Sequence, residues 1–168
     1  ERSRGLGDVY KRQIYEGLKY IMRDDPEETI GIVLVHDAAR CFAPAELFST
    51  VTERVRTIMS QNVAAGVVPA LPVVDTIKMV DSSGNVLGTP DRTRLRRVQT
   101  PQGFDAKLLW TLHQEARKEG LSTTDDAALL EKFQFGVATV PGDEKALKIT
   151  TPTDLRLAQF IMEEDAEG

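Results

Sequence analysis

A single cysteine, Cys41, stands in 168 residues, so no internal disulfide can staple this chain, which fits a reducing, cytoplasmic setting. With only two histidines, His36 and His113, beside it, a Cys/His zinc centre has too few ligands. Positive charge is not in excess either. The 21 basic and 26 acidic residues give a net charge of -5, which argues against nucleic acid as a partner, since domains that bind it are usually basic. The apolar runs at 30–35 and 63–74 are broken by Gly, Pro or Asp, too short for a membrane-spanning helix. No G-x-x-x-x-G-K-[ST] occurs, and no G-x-G-x-x-G follows a strand, which argues against a P-loop and against a dinucleotide-dependent oxidoreductase. What remains, with hydrophobic residues at 41% and charged residues at 28%, is one soluble globular domain.

Residues 1–13 (ERSRGLGDVYKRQ) match neither the helical nor the strand period and contain no apolar core of a signal peptide. They read as non-native linker or adapter sequence, and the fold argument starts at Ile14. Ile14, Leu18, Ile21 and Met22 then form one helical stripe that stops near Asp24-Asp25-Pro26. The run IGIVLV at 30–35 is continuously apolar, as in a strand covered on both faces. Pro44 opens a second helix with Leu47, Phe48, Val51, Val55, Ile58 and Met59 at helical spacing, and residues 64–70 read as a second buried strand. Such alternation predicts an α/β fold with a mostly parallel sheet.

Between 73 and 98 the pattern changes to short extended pieces around the turn cluster Asp81-Ser82-Ser83-Gly84-Asn85, followed by Arg92, Arg94, Arg96 and Arg97. This is a β-arm, a hairpin excursion too poor in apolar residues to fold alone, so it should pack against something such as a second subunit. Asp105 caps a third helix that stops at Gly120, and residues 125–133 form a short helix. Residues 136–140 and 148–149 read as strands. Thr151-Pro152-Thr153-Asp154 starts the last helix as a variant capping box.

Ligands of open α/β sheets bind beyond the carboxyl ends of strands, and polar residues gather there. His36-Asp37-Ala38-Ala39-Arg40 follows the strand at 30–35, Asp75-Thr76-Ile77-Lys78 follows the one at 64–70, Thr123-Thr124-Asp125-Asp126 precedes a helix, and Lys148 follows the late strand. Arginine grips phosphate through two parallel hydrogen bonds, while lysine acts as a point charge. Any metal would be Mg²⁺ held by carboxylate and substrate phosphate. Each position also has a plainer reading. Asp37 and Arg40 form an ion pair at a loop corner, Thr124-Asp125 is a helix cap, and the arginine run is a solvated face. His113 is a surface or half-buried helix residue, and Cys41 is a small packed hydrophobe.

The order of these elements adds what no single one supplies. VLVHDAARCF (33–42), VPALPVVDTIK (68–78), DRTRLRRVQTPQGF (91–104), TTDDAALLE (123–131) and LKITTPTDL (147–155) resemble the 2-C-methyl-D-erythritol 4-phosphate cytidylyltransferase family over essentially all of 14–162. The resemblance implies a Rossmann-like nucleotidyltransferase fold, a three-layer sandwich, and a homodimer clasped by the arm. It also implies transfer of a cytidylyl group from CTP to the polyol phosphate with release of pyrophosphate, and Mg²⁺ on the triphosphate, with Asp37 the one candidate metal carboxylate. Carried over by motif, Arg92 and Lys148 position the acceptor phosphate, and Asp37, Arg40, Thr76, Thr100 and Thr124 contact substrate. Thr76 and Arg92, on the arm, would serve the neighbouring subunit's site.

Three departures stand out. The family's glycine-rich loop with its arginine, and the lysine in a Pro-Lys-Gln context, have no match in 1–168. Cys41 stands where proline is usual, and Ala146 where asparagine is common. Residues 14–168 are thus expected to be part of a cytidylyltransferase domain lacking the CTP-loop unit, inactive alone and poorly soluble through exposed sheet edges. Ribitol 5-phosphate cytidylyltransferase is the neighbouring reading, and a non-catalytic α/β dimerisation module the rival from another class.

Overall fold

The structure is a computed structural model describing the backbone of residues 2–27, 29–121 and 123–167, with side chains over 13–27, 29–121 and 123–163. Helix α1, Arg2–Asp24, is longer than its stripe predicts, since the backbone is already helical at Arg2 rather than at Ile14. The described part of the stripe behaves as expected. Leu18 is buried, and Ile14 and Met22 pack beside it against the core. Asp25 then ends the segment by accepting hydrogen bonds from the Thr29 hydroxyl at 2.6 Å and from the backbone N–H groups of Thr29 and Ile30 at 2.9 and 2.7 Å. These donors, the hydroxyl foremost, hold its carboxyl below the usual carboxylate range.

Strand β1, Ile32–Val35, is shorter than the apolar run that announces it and is covered on both faces. Val33 and Val35 face one apolar cluster, with Phe104, Leu109 and Leu130. Ile32 and Leu34 face another, with Val51, Val55 and Ile58. Those three belong to helix α2, Ala45–Gln61, whose buried stripe is Leu47, Val51, Val55 and Ile58. The helix ends at Asn62, whose φ of 56° is the left-handed conformation that terminates helices.

Strand β2, Gly66–Pro72, is the centre of the sheet. After it the chain leaves in a two-stranded hairpin, β3 Met79–Val80 and β4 Val86–Gly88. Gly84, at φ +85°, supplies the left-handed turn residue that a side chain would strain. The chain returns as β5, Arg96–Val98, then β6, Gln102–Asp105. Helix α3, Ala106–Lys118, follows, capped by Asp105, whose carboxylate accepts from the Leu108 N–H at 2.7 Å. The remaining elements are α4, Asp126–Lys132, β7, Val137–Pro141, and α5, Pro152–Glu167. The capping box of α5 forms as its sequence predicts: Asp154 N–H donates to Thr151 Oγ1 at 3.2 Å and Thr151 N–H to Asp154 Oδ2 at 2.7 Å.

The sheet runs β1-β6-β2, with β5 beside the far end of β2 and β7 along the opposite edge of β2. Pairing corrects the expectation of a mostly parallel sheet. Among the described residues only β2 and β7 pair in parallel; β6 lies antiparallel to both β1 and β2, and β5 antiparallel to β2. Strands β1, β2 and β7 still share one direction, so the sheet is mixed because β6 is inserted between two of them. That strand is missing from the sequence reading: Gln102-Gly103-Phe104-Asp105 is too short and too mixed to announce itself. Gly103 has a packing reason, since a Cβ there would fall 2.7 Å from Val51 Cγ1 and 2.8 Å from Val55 Cγ2. Helix α2 covers one face of the sheet, and α1, α3 and α4 the other, which makes three layers.

Three further expectations are corrected. Residues 147–150 are not a strand. His113 is 6% exposed rather than half-solvated, because the α3 face that carries it meets α4. Cys41 is exposed, because it sits in the open loop ahead of α2, where no core reaches it.

Candidate active site

Where β1 ends, the chain turns through His36 and Asp37, and three other segments meet it, carrying Phe48, Thr100 and Lys148. The Asp37 N–H donates to Thr100 Oγ1 at 2.9 Å, and the same hydroxyl meets His36 Nδ1 at 3.0 Å, while His36 stacks against Phe48 with ring centroids 4.9 Å apart. Thr100 is buried between β5 and β6. It therefore fixes the start of the loop from the neighbouring strand pair.

The Asp37 carboxylate carries two cations. Lys148 Nζ lies 3.0 Å from Oδ2, and Arg40 Nε 3.6 Å from the same oxygen. At 3.6 Å the arginine contact is an ion pair without a hydrogen bond, and Arg40 Nε, buried, has no hydrogen-bond partner among the described residues. Its Nη1 instead donates to the Ala146 carbonyl at 2.7 Å. Burial lowers the affinity of the Arg40 guanidinium for its proton, and the neighbouring Asp37 charge opposes this; an arginine so placed stays cationic. One carboxylate against two cations leaves a positive charge uncompensated at the carboxyl end of β1, where α/β sheets take ligands. The Lys148 side chain is 47% exposed, so its ammonium is available to an anion from solvent.

Asp37, Arg40 and Lys148, read from strand ends, are thus brought together with Thr100, which the resemblance alone implied. Thr76 and Arg92 are not. Both are exposed on the arm. Arg92 Nη1 donates to the Val74 carbonyl at 2.7 Å within the arm, and no ion pair or hydrogen bond among the described residues joins it to Lys148. Thr124 is exposed one residue ahead of the α4 cap, which is Asp125 rather than Thr124: its Oδ1 accepts from the Ala128 N–H at 2.8 Å. The other oxygen accepts from Gln102 Nε2 at 3.0 Å, which ties the Thr124 segment to β6.

Gln99 and Gln102 are the participants that residue-by-residue reasoning missed. Their signal lay in the QTPQ motif, read for its threonine alone. Gln102 Oε1 is buried without a hydrogen-bond partner among the described residues. Behind this segment, His113 Nε2 meets Asp126 Oδ1 at 2.7 Å, with side-chain exposures of 6% and 2%.

No group of three or more His, Cys, Asp or Glu side chains gathers among the described residues to hold a metal. Asp37 Oδ1 takes no part in the contacts to Lys148 and Arg40. One free carboxylate oxygen fits a Mg²⁺ held mainly by substrate phosphates, which is how that ion is usually bound. No helix among the described residues is long and apolar enough to cross a membrane.

The family model described as IspD: 2-C-methyl-D-erythritol 4-phosphate cytidylyltransferase matches residues 6–164. The chain is 46% identical over 156 residues to the 2-C-methyl-D-erythritol 4-phosphate cytidylyltransferase of Microcystis aeruginosa, covering 93% of this chain and 64% of that protein. Among solved structures it is similar to the 4-diphosphocytidyl-2C-methyl-D-erythritol synthase of Anaerococcus prevotii, with a TM-score of 0.79 at 31% identity over 91% of this chain and 63% of that one. It is also similar to the 2-C-methyl-D-erythritol 4-phosphate cytidylyltransferase of Thermus thermophilus, with a TM-score of 0.69 at 36% identity over 85% and 67%. The chain spans 64% of the length of the Microcystis relative.

Proposed function

This chain belongs to the 2-C-methyl-D-erythritol 4-phosphate cytidylyltransferase family, and from that membership we propose that the whole protein transfers the cytidylyl group of CTP to methylerythritol 4-phosphate. The observation that carries the reading is the Asp37–Arg40–Lys148 cluster, with its surplus positive charge, at the carboxyl end of β1.

The chemistry asks little beyond positioning and charge neutralisation. An oxygen of the acceptor's phosphate attacks the α-phosphorus of CTP. The new P–O bond forms as the bond from that phosphorus to the β-phosphate's bridging oxygen breaks, and pyrophosphate leaves with the electron pair. Two anions must be held in line against their repulsion, which is worth several orders of magnitude in rate when geometry is imposed. Lys148 supplies a mobile point charge for the acceptor phosphate. Asp37 holds that ammonium near Arg40, and Thr100 and the His36 ring fix the loop that presents both. Mg²⁺, bound mainly by the triphosphate with Asp37 as its protein carboxylate, would neutralise charge on the nucleotide.

Thr76 and Arg92 are assigned to the acceptor site of a second copy, reached across a homodimer. The arm supports this reading, since Val74, Met79, Val80, Val86 and Leu87 are all exposed there, each at 54–70%, and patches of exposed apolar side chains mark interaction surfaces. A cytoplasmic location belongs to the same proposal and is supported by the cysteine count, since one cysteine in these 168 residues allows no internal disulfide.

The test uses the protein at the full length of its relatives and follows pyrophosphate release. With CTP and methylerythritol 4-phosphate, Lys148→Ala and Arg92→Ala should each lower turnover by about a hundredfold or more, as loss of a positioned charge does, while sedimentation still shows a dimer. Ribitol 5-phosphate in place of methylerythritol 4-phosphate should be a poor acceptor. Equal turnover with both polyol phosphates, or variants as active as the parent, would reject the assignment.

A further inference from the structure

Gln99 sits between β5 and β6 with 5% of its surface exposed, and both its backbone and its side chain engage distant partners. Its N–H donates to the Pro69 carbonyl at 2.8 Å. Its Nε2 donates to the Asp143 carbonyl at 2.8 Å and to the Ala146 carbonyl at 3.3 Å, and its Oε1 accepts from the Asp143 N–H at 3.0 Å. A primary amide offers donor and acceptor from one planar group, so this side chain grips both polar groups of Asp143 at once. Gly142 permits the approach, since a Cβ there would fall 2.3 Å from Gln99 Oε1.

The segment so gripped leads to Lys148. Between β7 and α5 it has one short 3₁₀ turn of its own, Glu144–Ala146, so most of its shape is imposed from outside. Ala146 is held through its carbonyl by Gln99 and by Arg40 Nη1. Ile149 is held through its N–H, which donates to the Ala39 carbonyl at 2.9 Å. Lys148 lies between these two fixed points, and only its side chain is left to swing.

We propose that Gln99 is a positioning residue for Lys148: its buried amide clamps the 143–146 segment so that the ammonium stays within reach of Asp37 and of the acceptor phosphate. The inference rests on the functional reading above, in which Lys148 grips that phosphate. A buried amide that served stability alone would destabilise the fold on removal without acting through Lys148.

A double-mutant cycle in the full-length protein separates the two. Gln99→Met keeps the bulk and removes the amide. It should lower kcat by about 10- to 100-fold, the scale of a catalytic group displaced by roughly 1 Å, with KM for CTP changed less than about twofold. In the Lys148→Ala background the same substitution should cost less than about twofold, because effects of residues acting as a unit do not multiply. Losses that multiply across the cycle, or a Gln99→Met enzyme as fast as the parent, would overturn the inference while leaving the functional reading intact. A Lys148→Ala enzyme at full activity would remove the functional reading and this inference with it. Should Gln99→Met fail to melt cooperatively, amide hydrogen exchange in the unsubstituted protein decides. The Asp143 and Ile149 N–H groups should open together with similar protection, and an Ile149 amide exchanging a hundredfold faster or more would refute the clamp.

Discussion

His113 and Asp126 make the buried pair on which the α3–α4 contact turns, and His113→Leu tests its weight. The imidazole and carboxylate meet at 2.7 Å with 6% and 2% of their side chains exposed, so water cannot replace either partner. Removing one member of such a pair costs about 3–5 kcal/mol, because the other is left buried. Asp126 has a further interaction, and it stands in the first turn of α4, where a helix favours negative charge. Both features place the expected loss near the lower end, about 3 kcal/mol. For a domain of this size that corresponds to a melting midpoint lower by about 6–12 °C. Urea unfolding followed by circular dichroism, with unchanged slope, measures it. Adding Asp126→Asn to His113→Leu removes the buried charge and should recover at least about 1 kcal/mol. A His113→Leu chain destabilised by less than about 1 kcal/mol, or a double variant weaker than the single one, would refute the reasoning.

Three other perturbations have definite expected outcomes. Gly103→Ala would drive a methyl to within 2.7 Å of Val51 and should cost about 1–3 kcal/mol in urea unfolding as α2 is pushed off β6. The Asp154 carboxyl is held at about 2 rather than 3.8, chiefly by the Thr150 and Thr151 N–H groups; a depressed carboxylate stabilises above its unfolded pKa and loses that contribution as pH falls. The stability advantage of the parent over Asp154→Asn should therefore be complete above about pH 4 and vanish towards pH 2, and pH-dependent melting of the two would show it. Cys41, exposed in its loop, should react with one equivalent of a thiol reagent in the folded chain at nearly the rate found in urea, whereas protection by folding would contradict its placement.

Signals confined to a few neighbouring residues were legible without a structure. The stripes of α1 and α2, the Asp105 cap, the Thr151–Asp154 box and the turn at 81–85 depend on residues within about four positions of one another, and each formed where its pattern stood. The order of five motifs was likewise readable, and with it the family and the α/β class. Tertiary structure decided whatever depends on partners far along the chain. Nothing near Gln102 announces a strand, because β6 exists by pairing with β1 and β2 on either side. Cys41 and His113 were misjudged for the same reason, since burial is a property of what packs against a residue, and α4 alone turns a mid-helix histidine into half of a buried pair. The Lys148–Asp37 contact joins opposite ends of the domain, and it needs the Gln99 amide and the Ala39 carbonyl to hold the lysine's loop in place. A charged side chain can be read from sequence, but where its charge is held depends on hydrogen bonds that close only once the fold has formed.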